Sequence, residues 1–202
     1  MKNNKIIIIG SGGHATSCIN IIEKIKQYKI HGIVDNKKII KNLNYNLIGN
    51  DKDLLKIKNK VKYAFIGIGQ IKSSEKRKIV FDNLKKKNFI LPKIISAHSL
   101  VSKHSQIGEG TIIMNFAHVN MNVKIGKNCI INTGSNLEHD VEVGDFVHIS
   151  TGAIINGNTK IGSNTFIGSG SIVNNNLKIG NNCIIASGQI VKKDLKSGTI
   201  YK

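Results

Sequence analysis

The sequence predicts two fold classes in one chain: an α/β domain over residues 1–92 and an all-β parallel β-helix over residues 93–202. Three observations predict this division. Strand and helix patterns alternate in the first part, an aliphatic residue recurs at every sixth position in the second part, and the only proline, Pro92, lies between the two patterns. A chain of 202 residues has room for two small domains.

The six-residue period begins at Ile95 and continues without interruption to Val191. The position two residues before each of these aliphatic residues is mostly small, and an Ile-Gly or Val-Gly pair recurs every eighteen residues, as at Ile107-Gly108. An α-helix would space apolar residues three and four apart. Periods of six and eighteen instead fit a coil of three short parallel strands per turn, with the aliphatic side chain inside and glycine or asparagine at the corners.

The first part of the chain alternates between strand and helix patterns. Strands are predicted at 5–9, 30–34 and 63–68, and helices near 14–28, 51–58 and 73–87. Alternation of this kind predicts a small parallel sheet with helices on its faces, similar to half of a Rossmann fold.

The segment IIIIGSGGHA contains three glycines, Gly10, Gly12 and Gly13, between the first strand and the first helix. Glycines at this place let backbone N–H groups approach an anion, and the helix N-terminus favours negative charge. Asp35 ends the next strand and can accept hydrogen bonds from a ribose or a base. The spacing is not the full dinucleotide motif, and a tight turn without a ligand explains these glycines equally well.

The segment EHDVEVGDFVH places a histidine outside the core and beside two carboxylates. His139 follows the aliphatic Leu137 by two residues and therefore does not occupy an interior position. A solvent-accessible histidine suits general-base catalysis, and a neighbouring Asp140 can orient the ring and stabilise the imidazolium.

The formal net charge of +18 lies mostly in the first part of the chain. Residues 1–94 carry 21 basic against 6 acidic residues, or +15, whereas residues 95–202 carry 9 against 6, or +3. Nucleic-acid binding is disfavoured because the lysines are scattered, Arg77 is the only arginine, and aromatic residues do not alternate with them. We expect a solvated basic surface that attracts phosphorylated ligands.

Cys18, Cys129 and Cys183 do not form an even disulfide framework. Cys129 and Cys183 take the same inward position three coils apart, about 14 Å at ~4.7 Å per coil, which is too far for a disulfide. Buried thiols indicate a reducing compartment. The apolar run KIIIIG is too short for a signal sequence or a membrane span, so a cytoplasmic protein that does not bind membranes is expected.

The hexads, the segment EHDVEVGDFVH and the segment IIIIGSGGHA together resemble the left-handed β-helix hexapeptide acyltransferases. The likeness is strongest to their sugar-acetyltransferase branch, which contains the bacillosamine and perosamine N-acetyltransferases and the sialic acid O-acetyltransferases. It implies a homotrimer that uses acetyl-CoA to acetylate the amine of a nucleotide-linked amino deoxysugar in surface glycan biosynthesis. In this family acetyl-CoA lies between neighbouring subunits.

The resemblance also implies which residues bind the acceptor. In the first domain, 1–92, these residues would contact the phosphates or frame the nucleoside of the nucleotide sugar: Gly12, Gly13, His14, Asp35, Gly67 and Gly69. In the second domain, Asn132 matches an acceptor-contacting position.

The resemblance assigns the chemistry to the second domain. His139 would be the base that takes a proton from the attacking amine or hydroxyl, and Asp140 its acidic partner. His148 matches a second active-site histidine near the thioester. The role of Glu138 stays undecided at this stage.

A column of small residues recurs every eighteen positions after Thr133-Gly134. Its later glycines are Gly152, Gly170 and Gly188, and stacked in a β-helix they would form a smooth groove with exposed backbone N–H groups. A pantetheine arm needs such a groove, and the Gly152 amide could stabilise a developing oxyanion. The steric demands of the repeat alone explain the column equally well.

Two other functions remain open from the sequence. One is O-acetylation of a sialic acid, and the other is a trimeric scaffold that binds sugar nucleotides without catalysis. A metalloenzyme is disfavoured because His98, His104 and His118 do not converge as a ligand set, so no metal is predicted.

Overall fold

The computed structural model describes residues 4–37 and 44–202. The chain forms two compact units. The N-terminal unit contains residues 1–69 and 75–94, and the C-terminal unit contains residues 70–74 and 95–202. The short segment 70–74, which lies between parts of the N-terminal unit in sequence, therefore packs with the C-terminal unit.

The N-terminal unit is a four-stranded parallel sheet with helices. Its elements in chain order are β1 (Asn4–Ile9), α1 (Gly13–Ile25), β2 (Tyr28–Val34), β3 (Leu47–Gly49), a 3-10 turn (Asp51–Asp53), α2 (Leu54–Lys58), β4 (Tyr63–Ile66) and α3 (Glu75–Lys86). The strand order is β3-β2-β1-β4, and every pairing is parallel. This order is the one expected of half a Rossmann fold, so the predicted fold class of this part is confirmed.

Local sequence explains most of these bounds. The run Ile6 to Ile9 is completely or almost completely buried, as expected of a central parallel strand covered on both faces. The prediction that the first helix extends to residue 28 was wrong, because Lys26 adopts a left-handed conformation with φ 53° that ends α1 at Ile25. The edge strand β3 was missed because three residues carry no readable period.

Arg77 organises the end of β4. Its side chain is 1% exposed, and its Nη1 donates hydrogen bonds to the carbonyl oxygens of Ile66 (3.2 Å) and Ile68. Ile66 is the last residue of β4, and Ile68 lies two residues beyond it. A buried guanidinium from α3 thus fixes the chain where β4 ends.

The C-terminal unit is a three-sided parallel β-helix of two-residue strands, which confirms the prediction from the hexads. The first face contains β5 (Ile94–Ile95), β8 (Ile112–Ile113), β11 (Ile130–Ile131), β14 (His148–Ile149), β17 (Phe166–Ile167), β20 (Ile184–Ile185) and β22 (Ile200–Tyr201). The second contains β6 (Leu100–Val101), β9 (His118–Val119), β12 (Asn136–Leu137), β15 (Ile154–Ile155), β18 (Ile172–Val173) and β21 (Ile190–Val191). The third contains β7 (Gln106–Ile107), β10 (Lys124–Ile125), β13 (Glu142–Val143), β16 (Lys160–Ile161) and β19 (Lys178–Ile179).

The second residue of most strands points inward and builds one continuous core that includes Ile113, Leu137 and Val191. Most corners end with a residue at positive φ, usually glycine or asparagine, as the repeat predicts. The three cysteines, all within the described residues, are buried and form no disulfide bond. Residues eighteen positions apart lie on the same face in adjacent coils, so their side chains can contact each other.

Candidate active site

A cavity of about 520 Å³ opens in the N-terminal unit at the carboxyl ends of β1 and β2. It is lined by the β1–α1 turn, including the predicted Gly12 and Gly13, by the predicted Asp35, and by Lys37 and Lys76. Ligands of open parallel sheets bind at this edge of the strands. The structure therefore brings three of the predicted acceptor-binding residues together and adds two lysines that sequence analysis did not single out.

Asp35 is held in place by hydrogen bonds on both carboxylate oxygens. The Ser11 hydroxyl donates to Oδ2 at 2.6 Å, and the Lys37 backbone N–H donates to Oδ1 at 2.9 Å. Partial burial raises the pKa of Asp35, but these hydrogen bonds, with the nearby Lys76 charge, outweigh it and leave the pKa below its ordinary value. Asp35 is thus an ionised acceptor on the cavity wall.

The N-terminus of α1 faces the same cavity. Its N-cap is Gly12, which has no side chain to occupy the first backbone N–H groups, and the first turn carries no acidic residue. A Cβ placed on Gly12 or Gly13 would meet nothing within 4 Å. The helix end is therefore open to an anion.

The structure does not bring the remaining predicted residues of this unit to the cavity wall. Gly67 lies against α1, where a Cβ would stand 2.9 Å from the Ala15 Cβ, so its lack of a side chain serves close packing. Gly69 stands beside His14, and the His14 Nε2 contacts the Cys18 Sγ at 3.4 Å. Ile68, between the two glycines, does line the cavity.

In the C-terminal unit, His139 and Asp140 lie at the corner between the second and third faces, directly after β12. The His139 Nδ1 is 2.9 Å from the Asp140 Oδ2, and the His139 side chain is 62% exposed. The other nitrogen, Nε2, lies over Gly157 of the next coil, where a Cβ would stand only 2.7 Å from it. The ring thus rests on a glycine that sequence analysis did not identify.

Asp140 occupies the left-handed corner position, with φ 62°. The equivalent residues in neighbouring coils are asparagines, and one of them, Asn122, donates to the Asp140 Oδ1 at 3.1 Å. The hydrogen bond with His139, followed by the one from Asn122, lowers the pKa of Asp140. A carboxylate that stays ionised beside Nδ1 favours the tautomer in which Nε2 can accept a proton.

Glu138 belongs to a polar network on the second face. Its carboxylate accepts hydrogen bonds from Asn136 (2.8 Å) and Asn120 (2.9 Å), and the Asn136 Oδ1 is 2.9 Å from the His118 Nδ1. The Asn136 and Asn120 hydrogen bonds lower the pKa of Glu138. Its carboxylate is therefore committed to neighbouring amides rather than to the His139 ring.

His148 is buried, with a side chain outward from β14 but only 7% of the residue exposed. Its Nε2 is 3.1 Å from the Asn132 Nδ2, and its Nδ1 is 2.5 Å from the backbone oxygen of Gln70. Gln70 also donates from Nε2 to the Phe146 carbonyl at 2.8 Å. The structure thus joins two predicted site residues, Asn132 and His148, and adds Gln70, which lies 78 residues before His148.

The predicted chemistry occupies two different corners of the β-helix. Asn132 and Gly152 lie at the corner between the first and second faces, whereas His139 lies at the other end of the second face. Gly134 and His139 flank the same strand, β12, and so belong to the same coil, but the extended face between them spans roughly 15–20 Å at ~3.3 Å per residue. One chain therefore does not bring His139 to the glycine column.

The glycine column is open to its surroundings, as the sequence suggested. Gly134, Gly152, Gly170 and Gly188 all have positive φ, and a Cβ on any of them would meet nothing within 4 Å. The expectation of exposed amides was wrong, however. The N–H groups of Gly152, Gly170 and Gly188 donate at 2.9 Å to the carbonyls of Thr133, Thr151 and Ser169 in the preceding coil. The Gly152 amide is therefore not available as an oxyanion donor.

Within residues 4–37 and 44–202, no three His, Cys, Asp or Glu side chains converge as a metal site. In the same ranges, no helix has the length and apolar character needed to cross a membrane.

Comparisons with known proteins follow the two-part layout. Residues 5–84 match the PglD N-terminal domain, and residues 104–139 and 158–188 match the bacterial transferase hexapeptide repeat. No curated protein sequence matches the chain.

Solved structures match over almost the whole chain. One is a perosamine N-acetyltransferase from Caulobacter crescentus in which one histidine is replaced by asparagine, solved in complex with CoA and GDP-perosamine. It is 27% identical to this chain with a TM-score of 0.91, and the match covers 96% of this chain and 91% of that chain. Another is the acetyltransferase domain of PglB from Neisseria gonorrhoeae in complex with acetyl coenzyme A, 26% identical with a TM-score of 0.89, covering 97% and 94%. WeeI from Acinetobacter baumannii shares the fold at 24% identity and a TM-score of 0.87, covering 99% and 97%.

The hexad architecture and the hexapeptide match identify the C-terminal unit as a left-handed β-helix of the bacterial hexapeptide transferase type, and the chain is an acetyltransferase. The preceding α/β unit matches the PglD N-terminal domain, and the chain as a whole is similar to the perosamine N-acetyltransferase and to the acetyltransferase domain of PglB. The resemblance drawn from the sequence is confirmed.

Proposed function

We propose that this protein transfers the acetyl group of acetyl-CoA to the amine of a nucleotide-linked amino deoxysugar in surface glycan biosynthesis. The observation that carries the proposal is the His139–Asp140 pair: a 2.9 Å contact at Nδ1, and a ring that remains largely exposed on a rigid corner. Two relatives that match nearly the full chain were solved with CoA and GDP-perosamine or with acetyl coenzyme A. Those ligands are the chemical class that we assign to this chain.

In the proposed reaction the acceptor nitrogen attacks the thioester carbonyl carbon, forming the C–N bond. His139 Nε2 takes the proton that the nitrogen loses, while Asp140 accepts the Nδ1–H bond and stabilises the imidazolium. The C–S bond then breaks, and the sulfur leaves with the proton that His139 returns. The products are the N-acetylated sugar nucleotide and free CoA thiol, so protons and electrons balance without any further reactant.

The N-terminal unit would bind the nucleotide part of the acceptor. Its cavity combines the open end of α1 with Lys37 and Lys76, which suits a diphosphate, and with the ionised Asp35, which suits ribose hydroxyls or base N–H groups. Gly67 is better explained by its packing against Ala15 than by nucleoside contact.

We also propose that the active site is completed by a second copy in a homotrimer. His139 and the open glycine column lie at opposite ends of the second face, so a neighbour related by rotation would bring one subunit's histidine to the other's column at the same coil height. The outward residues of this face include Leu100 and Ile190, which are exposed large apolar side chains. Ile190 continues a column of outward isoleucines with Ile154 and Ile172 in the two preceding coils, and a partly exposed apolar column of this kind favours association.

Two other functions share this geometry. Sialic acid O-acetylation would use the same base on a hydroxyl, and a scaffold would use the cavity without transfer. The polar phosphate-binding features of the cavity favour a nucleotide-linked acceptor over a free sugar acid.

The test is release of thiol from acetyl-CoA with a panel of UDP-, GDP- and dTDP-linked amino sugars, CMP-sialic acid and free sialic acid, for wild type and His139→Ala. We expect turnover with one amino sugar and loss of turnover in the variant. Turnover with sialic acid alone would move the assignment to O-acetylation. Absence of both turnover and acetyl-CoA binding would leave the scaffold.

A further inference from the structure

His148 has both ring nitrogens engaged by partners inside the C-terminal unit. Nε2 faces the Asn132 Nδ2 at 3.1 Å, and Nδ1 faces the Gln70 carbonyl oxygen at 2.5 Å. The ring is also packed edge-on against Phe166, with centroids 5.2 Å apart. A side chain held on three sides has no rotamer freedom to reach a thioester or a sugar directly.

The neighbours determine which nitrogen carries the proton. The Asn132 Oδ1 accepts the backbone N–H of Thr133 at 2.8 Å, which fixes the orientation of the Asn132 amide and turns its Nδ2 toward His148. An amide nitrogen only donates, so Nε2 must be the acceptor. A carbonyl only accepts, so Nδ1 must carry the hydrogen that is donated to Gln70. His148 is therefore the neutral Nδ1–H tautomer.

We propose that His148 is a positioning residue that orients Asn132 for the acceptor sugar, rather than a residue that contacts the thioester. Asn132 uses its oxygen on Thr133 and one N–H on His148. Its second N–H is left for a substrate oxygen on a side chain that is half-buried at the open corner. The Gln70 carbonyl completes the chain because it holds His148 in the tautomer that can accept from Asn132. This inference deepens the proposed function and depends on it for its kinetic test.

The kinetic test compares two substitutions that each preserve one half of the histidine. The amide of His148→Gln extends to the Nε2 position and can still accept from Asn132, whereas the amide of His148→Asn stays near Nδ1 and can only keep the Gln70 bond. We expect His148→Asn and Asn132→Ala to raise the KM of the sugar nucleotide roughly tenfold, the cost of about one hydrogen bond, with the KM of acetyl-CoA unchanged. His148→Gln should be impaired clearly less, and His148→Asn/Asn132→Ala no more than Asn132→Ala alone.

Three kinetic results would overturn the proposal. These are a rise in the KM of acetyl-CoA instead of the sugar nucleotide, equal loss in the two histidine variants, or additive effects of His148→Asn and Asn132→Ala. The first would mean that His148 contacts the thioester after all.

A second measurement does not depend on activity. In the ¹⁵N-histidine NMR spectrum of the wild-type chain at pH 7.5, the His148 ring should show a protonated Nδ1 and an unprotonated Nε2, assigned by the signal that His148→Gln removes. A ring protonated at Nε2, or at both nitrogens, would contradict the hydrogen-bond chain. If wild type shows no turnover with any acceptor, the proposed function fails. The NMR result would still test the hydrogen-bond chain from Gln70 through His148 to Asn132.

Discussion

Replacing Gly157 with alanine should displace the candidate base without harming the fold. A Cβ at this position would stand 2.7 Å from both the Nε2 and the Cε1 of His139. Ordinary contact between such atoms begins at about 3.5 Å, so the ring must move by about 0.8 Å. The His139 side chain is exposed and can yield, and φ at Gly157 is not positive, so the backbone accepts alanine.

The magnitude follows from this shift. A misplacement near 1 Å in a catalytic group costs up to ~100-fold in rate, so we expect kcat for thiol release to fall about 10- to 100-fold. The melting temperature should stay level or rise slightly, because alanine lowers the entropy of the unfolded chain by about 0.4–1 kcal/mol at a compatible site. The KM for either substrate should change little.

A double-mutant cycle makes the reasoning refutable. If Gly157→Ala acts through His139, it must have no further effect on the residual rate of thiol release that remains in His139→Ala, measured at high enzyme concentration. Equal losses in both backgrounds would mean that the methyl group blocks substrate rather than the base. Unchanged activity of the single variant would mean that the ring does not need this position.

Three other outcomes follow from the structure. Glu138→Gln should lower the melting temperature at pH 6, and the deficit should shrink toward pH 3. The Asn136 hydrogen bond lowers the pKa of Glu138 in the folded state, so the carboxylate's stabilising contribution is complete above the unfolded-state pKa of about 4.3 and is lost as the pH falls through the lower folded-state pKa. A deficit that does not change with pH would refute this. Phe116 is 72% exposed and has φ 59°, a left-handed conformation that costs a bulky residue ~1–2 kcal/mol. Phe116→Asn should therefore raise the melting temperature by about 2–4 °C. A lower melting temperature would show that the Phe116 ring packs against a partner in the assembly. Gly170→Asn introduces a residue that tolerates the left-handed conformation, but its side chain fills open space at the glycine column. The KM of acetyl-CoA should therefore rise severalfold while the melting temperature stays unchanged. An unchanged KM would mean that the coenzyme does not bind at this corner.

The six-residue period allowed much of the β-helix to be predicted from the sequence. Side chains such as Leu137 and Ile149 recur at a fixed interval, and a fixed interval leaves only one face for each of them. His139 and Asp140 were identifiable as a pair because adjacent residues at a corner can touch without any help from distant sequence. Strands β1 and β4 of the N-terminal sheet were predictable because each contains a continuous apolar run that is followed by a glycine.

Interactions between distant parts of the chain could not be read in this way. Nothing near Gln70 in sequence indicates that its carbonyl meets His148, because the segment 70–74 leaves the α/β pattern without any change in composition. The Gly152 amide was misjudged because a glycine at a corner exposes its Cα, while its N–H still bonds to the preceding coil. Gly157 could have been found by writing the coils in register, where it is the glycine that follows His139 by eighteen residues.

The most direct test of the account is recovery of activity from two disabled variants in mixed trimers. One carries His139→Ala, and the other carries Gly152→Asn with Gly170→Asn; the two are co-expressed with different tags, and the mixed assemblies are purified for thiol release from acetyl-CoA. If each site takes its base from one subunit and its coenzyme corner from the next, every purified mixed trimer should contain one intact site out of three, whichever variant is in the majority. No recovery above either variant alone, from trimers shown to be mixed, would contradict a site shared between subunits.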